Sequence, residues 1–124
     1  DDCTIINVEG AGSNGFPSEN YSIYGSSKCA LRQFTKTMKE EFKESEIDFY
    51  LLSPGMILTN LILINATDEM KKIFNIFCET PDFLAKYFVK RIIKNKNNQD
   101  LHYLTADRII YLFILSFFRK DRFF

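Results

Sequence analysis

Tyr24 and Lys28 stand four residues apart in YGSSKCALRQF (24–34). At that spacing on a helix the two side chains share a face. A phenol has an unperturbed pKa of about 10 and is a poor acid–base catalyst at neutral pH. A lysine cation beside it favours the phenolate, and bringing the phenol to about 7 takes roughly 4 kcal/mol of differential stabilisation. The pair therefore has the composition of a phenol-based general acid. As a bare pattern it is weak, because in a chain with 6 tyrosines chance supplies roughly half a match. The competing reading is two polar residues on an ordinary solvated face, so the surrounding elements decide.

CTIINV (3–8) is a β-rich run that leads at once into Gly10, Gly12, Gly15 and Pro17, which reads as a strand leaving a sheet into a loop. From about Tyr24 to Ser45 the pattern is helical. Leu31, Phe34, Met38 and Phe42 recur at three- and four-residue intervals, while Lys36, Lys39, Glu40, Lys43 and Glu44 face elsewhere. IDFYLLS (47–53) is a second strand, stopped by Pro54-Gly55. Strand, helix, strand is a βαβ unit, whose crossover predicts a parallel sheet in an α/β domain. Both loops then lie at the carboxyl edge of that sheet, where open α/β folds bind ligands. Pro54-Gly55 lets backbone approach a ligand closely, and Thr59 offers a hydroxyl. Ser13 is either a hydrogen-bond donor to a substrate oxygen or an ordinary loop serine.

Beyond Thr59 the sequence predicts an apolar LILI run, helices near 68–78 and 81–93, and a short last strand in LHYLT (101–105). DRIIYLFILSFFRKDRFF closes the chain as a helix whose apolar stretch, Ile109 to Phe118, is too short for a bilayer span of about 20 residues. It is expected to be buried or partner-facing. Peripheral membrane contact through 108–122 is the sharper alternative, favoured by Arg108, Arg119, Lys120 and Arg122.

A composition of 46% hydrophobic and 26% charged residues is that of a soluble globular protein, and the zero net charge argues against nucleic-acid binding. The run Lys90, Arg91, Lys94 and Lys96 reads as a solvated helix end. Cys3, Cys29 and Cys78 are odd in number and widely spaced, which suits a reducing compartment better than a disulfide framework or a zinc site. With His102 as the single histidine, no metal site is expected. The chain has no initiator Met or signal peptide and opens almost directly on a strand, so we expect the carboxyl portion of a longer protein, with any targeting segment upstream.

Taken in order, the strand, the loop serine, Tyr24-x-x-x-Lys28, the helix, the second strand and PGMILT (54–59) resemble the carboxyl half of a short-chain dehydrogenase/reductase. The resemblance implies a Rossmann-like doubly wound parallel sheet. Residues 1–124 would be its carboxyl-terminal portion, part of a single domain whose amino-terminal cofactor-binding half is absent. It implies that Tyr24 moves the proton, and that Lys28 lowers the tyrosine's pKa and holds the nicotinamide ribose. Ser13 would orient the carbonyl. Pro54, Gly55, Ile57 and Thr59 would contact the nicotinamide end of NADPH, or of NADH. Many members place the serine three residues after an Asn such as Asn7; here that position is Gly10, and Ser13 is the nearest serine.

A narrower likeness runs further. NVEGAGSNG, YGSSKCALRQF, SPGMILTNLIL, IFNIFCETPDFLAKYFVKRI and YLTADRIIYLFILSFFRKDRF are similar, in that order, to the carboxyl half of chlorophyll(ide) b reductases. That likeness implies NADPH-dependent reduction of the C7 formyl group of chlorophyll b to hydroxymethyl, in plastids at thylakoid membranes. Leu58 to Ile64 is then expected as a lid over a flat apolar macrocycle, or as core packing. Two other readings stand beside it. One is a reductase of another lipophilic carbonyl, a sphingoid ketone or a steroid. The other is a non-catalytic fragment or partner subunit in a homo- or hetero-oligomer, with an exposed strand edge. By itself the 124-residue chain is expected to bind NADPH weakly or not at all.

Overall fold

The computed structural model describes residues 3–95, 99–119 and 121–124; Lys96 and Lys120 of the basic runs lie outside these. The chain divides into two compact units, Asp1–Ser53 with Lys94–Leu101, and Pro54–Ile93 with His102–Phe124.

In the first unit the predicted βαβ pattern is present: β1 (Cys3–Val8), α1 (Ser22–Glu41) and β2 (Ile47–Ser53). β1 and β2 run parallel, in register from Cys3 opposite Ile47 to Val8 opposite Leu52. Phe49, Tyr50 and Leu51 of β2 are buried, as suits a central strand, whereas Ile5 and Val8 on the edge strand β1 are exposed. A third strand, β3 (Leu101–His102), completes the sheet order β1-β2-β3.

Helix α1 starts two residues earlier than the periodicity predicts and stops four residues sooner. Its start follows a left-handed Asn20 (φ 66°), a conformation Asn tolerates. Its end is set where Phe42 N–H bonds Met38 O and Ser45 Oγ donates to Phe42 O at 2.8 Å while accepting from Ile47 N–H at 3.1 Å. That turn feeds the chain directly into β2.

The inward stripe also differs from expectation at one position. Phe34 is exposed, and the fully buried residue is Thr35, one step of about 100° round the helix. Burying a hydroxyl is tolerated because Asn7 Nδ2 donates to Thr35 Oγ1 at 2.9 Å, and Thr35 Oγ1 donates to Leu31 O at 2.8 Å. Left unpaired, such a group costs about 1–3 kcal/mol. The Asn7–Thr35 bond therefore ties β1 to one rotation of α1, with Lys28, Leu31 and Thr35 on the sheet-facing side.

The second unit holds α2 (Asn60–Leu63), α3 (Asp68–Phe77), α4 (Pro81–Lys94) and α5 (Ala106–Ser116). Thr67 caps α3, accepting from Met70 N–H at 3.3 Å, and Asp68 and Glu69 in its first turn suit the helix dipole. Thr80 accepts from Phe83 N–H at 3.3 Å ahead of Pro81, a residue favoured at a first helical position. Helix α5 ends at Ser116, short of the predicted end, and residues 117–119 and 121–124 lie outside it. Asn75 in α3 holds the last of these: its Oδ1 accepts from the N–H groups of Phe123 (2.8 Å) and Phe124 (3.1 Å), and its Nδ2 donates to Phe124 O at 3.0 Å.

Candidate active site

The first unit brings together two of the residues singled out from sequence. Tyr24 and Lys28 lie on one face of α1, as their spacing requires. The Lys28 ammonium sits 5.8 Å from the centroid of the Tyr24 ring and donates to Val8 O, at the end of β1, at 3.0 Å. The strand end thus anchors the cation, and two of its three donors are left for other acceptors. Tyr24 is 47% exposed, with its hydroxyl end directed at Gly10. Tyr21 packs edge-on against it, with ring centroids 5.8 Å apart.

Gly10 lies directly against this pair. A Cβ built there would overlap the Tyr24 hydroxyl and approach Lys28 Cε to 3.1 Å. Ser13 is turned onto the backbone of its own loop. It is buried, and its hydroxyl donates to Gly10 O at 2.6 Å and accepts from Gly10 N–H at 2.9 Å. Ser13 N–H also bonds Gly10 O at 3.1 Å, closing a turn in which Gly12 sits at φ +87°, the sign a type II turn takes at that position. A side chain at Gly12 would also collide with Gly25 of α1, its Cβ reaching Gly25 Cα at 2.6 Å.

Before this turn, Glu9 is buried and pairs with Arg32 of α1, Nη1 to Oε1 at 3.3 Å. An open groove of about 380 Å3 flanks the loop, lined by residues such as Gly12, Phe16, Tyr21, Gly25 and Cys29. Its lining includes neither Tyr24 nor Lys28.

Pro54, Gly55, Ile57 and Thr59 belong to the second unit. Gly55 has φ +71°, and a Cβ there would meet Leu104 Cδ1 at 2.9 Å, so both conformation and space call for glycine. Ile57 forms a parallel bridge with Glu79, in which Leu58 N–H bonds Glu79 O at 2.9 Å and Glu79 N–H bonds Met56 O at 3.1 Å. Thr59 is the N-cap residue of α2, yet its hydroxyl makes no capping bond. Of the 58–64 run, Leu61 is 82% and Ile64 71% exposed and nothing in α2 is buried, which does not fit core packing.

Sequence reasoning passed over a polar network in this unit. Glu79 Oε1 accepts from Tyr103 Oη at 2.8 Å, and Oε2 pairs with Arg122 Nη2 at 3.0 Å. Arg108 Nη2 donates to Tyr103 Oη at 3.1 Å, and its guanidinium lies 4.0 Å from that ring's centroid. Burial first, then the Glu79 carboxylate that takes its hydrogen bond, pushes the Tyr103 phenol up to about 12. Only the charge pattern of the tail hinted at such partners, since Glu79 and Arg122 are far apart in sequence.

The same network bears on the terminal helix. Ile110, Tyr111, Phe113, Ile114, Phe117 and Phe118 are exposed, yet Arg108 and Arg122, expected as flanking surface cations, are turned onto Tyr103 and Glu79. Lys90, Arg91 and Lys94 are exposed, as a solvated helix end should be, with Arg91 stacked 3.6 Å from the centroid of the Tyr87 ring. Among the described residues no helix is long and apolar enough to cross a membrane.

A family model described as short chain dehydrogenase matches residues 2–69, which takes in β1, α1, β2 and the segment beyond them. The chain belongs to the short chain dehydrogenase family. Among curated proteins it is 36% identical over 121 residues to a protein named probable chlorophyll(ide) b reductase NYC1, chloroplastic, of Arabidopsis thaliana. That match covers 97% of this chain and 24% of the plant protein. Chlorophyll(ide) b reductase NOL, chloroplastic, of Oryza sativa subsp. japonica is 35% identical over 101 residues, 78% of this chain and 29% of that protein. A 7alpha-hydroxysteroid dehydrogenase of Bacteroides fragilis is 31% identical over 107 residues, 86% of this chain and 40% of that protein.

The chain thus spans about a quarter of the length of the plant relatives. A crystal structure of a short-chain dehydrogenase/reductase of unknown function from Caenorhabditis elegans, solved with cofactor, matches with a TM-score of 0.57 at 16% identity, over 86% of this chain and 48% of that one. The fold of this short chain dehydrogenase is therefore a partial Rossmann-like α/β domain, as its motifs implied.

The cysteines of this family member differ in exposure. Cys3 and Cys29 are exposed and free, whereas burial raises the Cys78 thiol to about 11. A thiol reagent applied to the folded protein at mildly alkaline pH is expected to modify Cys3 and Cys29 and to spare Cys78 until denaturant is added, as read by peptide mass spectrometry. Equal labelling of all three would contradict the packing around Cys78.

Proposed function

We propose that this chain carries the proton-transfer half of an NADPH-dependent carbonyl reductase acting on the C7 formyl group of chlorophyll b, in plastids at the thylakoid surface. The observation that carries the proposal is the reach of the plant likeness. It covers 121 residues, well past the family match at residue 69 and into the α5 tail. The 31% identity to a steroid dehydrogenase supports a second reading, a steroid carbonyl of similar bulk and apolarity.

Bound NADPH would supply the hydride. The residues that would hold it are Tyr24 and Lys28, and, by the family pattern, Pro54, Gly55, Ile57 and Thr59. Their state suits that role, since Tyr24 is half exposed, the Lys28 ammonium has three donors of which Val8 O takes one, and the Thr59 hydroxyl is not spent on its helix. As the carbonyl oxygen gains charge, Tyr24 Oη donates its proton to it, and the nearby Lys28 cation stabilises the phenolate left behind. NADH is the alternative cofactor. Self-association and contact of the exposed α5 face with an apolar partner or lipid surface belong to the same reading.

The test is a substrate panel on the full-length protein with NADPH and with NADH, comparing chlorophyllide b, a sphingoid ketone and a steroid ketone. We expect chlorophyllide b to be reduced to the 7-hydroxymethyl product with the highest kcat/KM. Turnover of the steroid alone would replace this substrate with the second reading. A chain that reduces nothing in the panel would favour the non-catalytic subunit.

A further inference from the structure

Glu79 is tied into its unit through both its backbone and its side chain. Its N–H donates to Met56 O at 3.1 Å, and its carbonyl accepts from Leu58 N–H at 2.9 Å, which pins the middle of the 54–59 segment. Its carboxylate is divided between partners 24 and 43 residues away: Tyr103 Oη donates to Oε1 at 2.8 Å, and Arg122 Nη2 to Oε2 at 3.0 Å. Held at both oxygens by directional bonds, the side chain cannot turn, so the peptide groups of Glu79 keep one direction. The same network backs the segment a second time. The Tyr103 ring lies behind Gly55, where an added Cβ would stand 3.5 Å from Tyr103 Cδ1. Arg122 is itself steadied, because the next two residues give their N–H groups to Asn75 Oδ1.

Resting on the reading that 54–59 contacts the nicotinamide end of the cofactor, we infer that Arg122 and Tyr103 are positioning residues for cofactor binding, acting through Glu79. Tyr103 is fully buried and Arg122 is turned onto Glu79, so each acts on the segment through that carboxylate. Coupling between two places in a protein is reciprocal. Cofactor that holds the segment therefore steadies the tail, and a loosened tail weakens the cofactor. A network that only stabilised the unit would lower the melting temperature and leave the cofactor affinity of the folded molecules alone.

The experiment uses the full-length protein and NADPH, and begins with amide hydrogen exchange on the wild type. The amides of Leu58 and Glu79, and those of Phe123 and Phe124 in the tail, are each expected to exchange at least about fivefold more slowly with saturating NADPH. Slower exchange at Leu58 and Glu79 with the tail unchanged would overturn the inference and leave the reading of the segment standing. No change at Leu58 or Glu79 would remove that reading, and this inference with it.

Variants then separate positioning from stability. Arg122→Gln and Tyr103→Phe are each expected to weaken NADPH binding by about 10-fold, with KM for the carbonyl substrate within about twofold and the pH profile of kcat unmoved. Arg122→Lys, which keeps the charge, should recover most of that loss. Leu84→Ala hollows the buried side of α4 and removes no bond of the network, so it should lower the melting temperature with NADPH affinity unchanged. Wild-type NADPH affinity in folded Arg122→Gln or Tyr103→Phe would overturn the inference, as would an equal loss of affinity in Leu84→Ala. If the Arg122 and Tyr103 variants do not fold, the exchange measurement on the wild type decides.

Discussion

Tyr24→Phe in the full-length protein is expected to lower NADPH-dependent carbonyl reduction by about 100- to 10,000-fold, the usual contribution of a positioned general acid. The substitution deletes one oxygen from a side chain that is 47% exposed, and leaves the ring in its edge-on contact with Tyr21. Among the described residues, no hydrogen bond that holds α1 in place uses that oxygen. The helix is tied to β1 through Asn7–Thr35, and Lys28 keeps its bond to Val8 O. Melting temperature and cofactor affinity should therefore stay near wild type while kcat collapses, a split that separates chemistry from folding. Steady-state kinetics beside a fluorescence titration with NADPH and a thermal melt measure all three. Retention of most of the activity would take the proton-transfer role away from Tyr24.

The largest effect on stability is expected at Glu79. Its side chain is 10% exposed and holds the fully buried Tyr103 through one oxygen and Arg122 through the other. Glu79→Leu removes the acceptor and leaves Arg122, 22% exposed, without its partner. Arg122→Met leaves a buried carboxylate without the cation that balances it. Breaking a buried pair from one side costs about 3–5 kcal/mol, because the abandoned charge keeps its desolvation penalty. Replacing both together removes that penalty, so Glu79→Leu/Arg122→Met should lose less than the two single variants added, by a coupling of about 1–3 kcal/mol. Urea denaturation of the wild-type protein and the three variants gives the cycle directly. Single losses below about 1 kcal/mol, the range of surface ion pairs, would show that the network holds little of this unit together.

Much of the frame was legible in the sequence. β1 and β2 fall on the residues their β-branched and apolar runs mark, because a strand packed in a sheet selects those types over its whole length. The proline and glycines that follow end them. The Tyr24–Lys28 face followed from helical geometry alone, as did the existence of α3 and α4, though boundaries moved: α1 is shifted toward the amino terminus and α5 ends at Ser116. Local side-chain bonds set such ends, and Ser45 closing the turn to Ile47 is one that periodicity does not register.

The contents of the site divided in the same way. Residue types and their spacing in the chain determined the family, the sheet, the shared face of Tyr24 and Lys28 and the glycine-bearing loops that follow the two strands, since each depends on local periodicity or on a motif read in order. Tertiary structure alone decided that Thr35 rather than Phe34 faces the sheet, that Ser13 is bound to Gly10, and that Arg108 and Arg122 turn inward onto Tyr103 and Glu79. In each case a polar group chose among partners, some distant in sequence, according to which of them burial brought within about 3 Å, and hydrogen-bond energy falls too steeply with distance and angle for composition to foretell that choice.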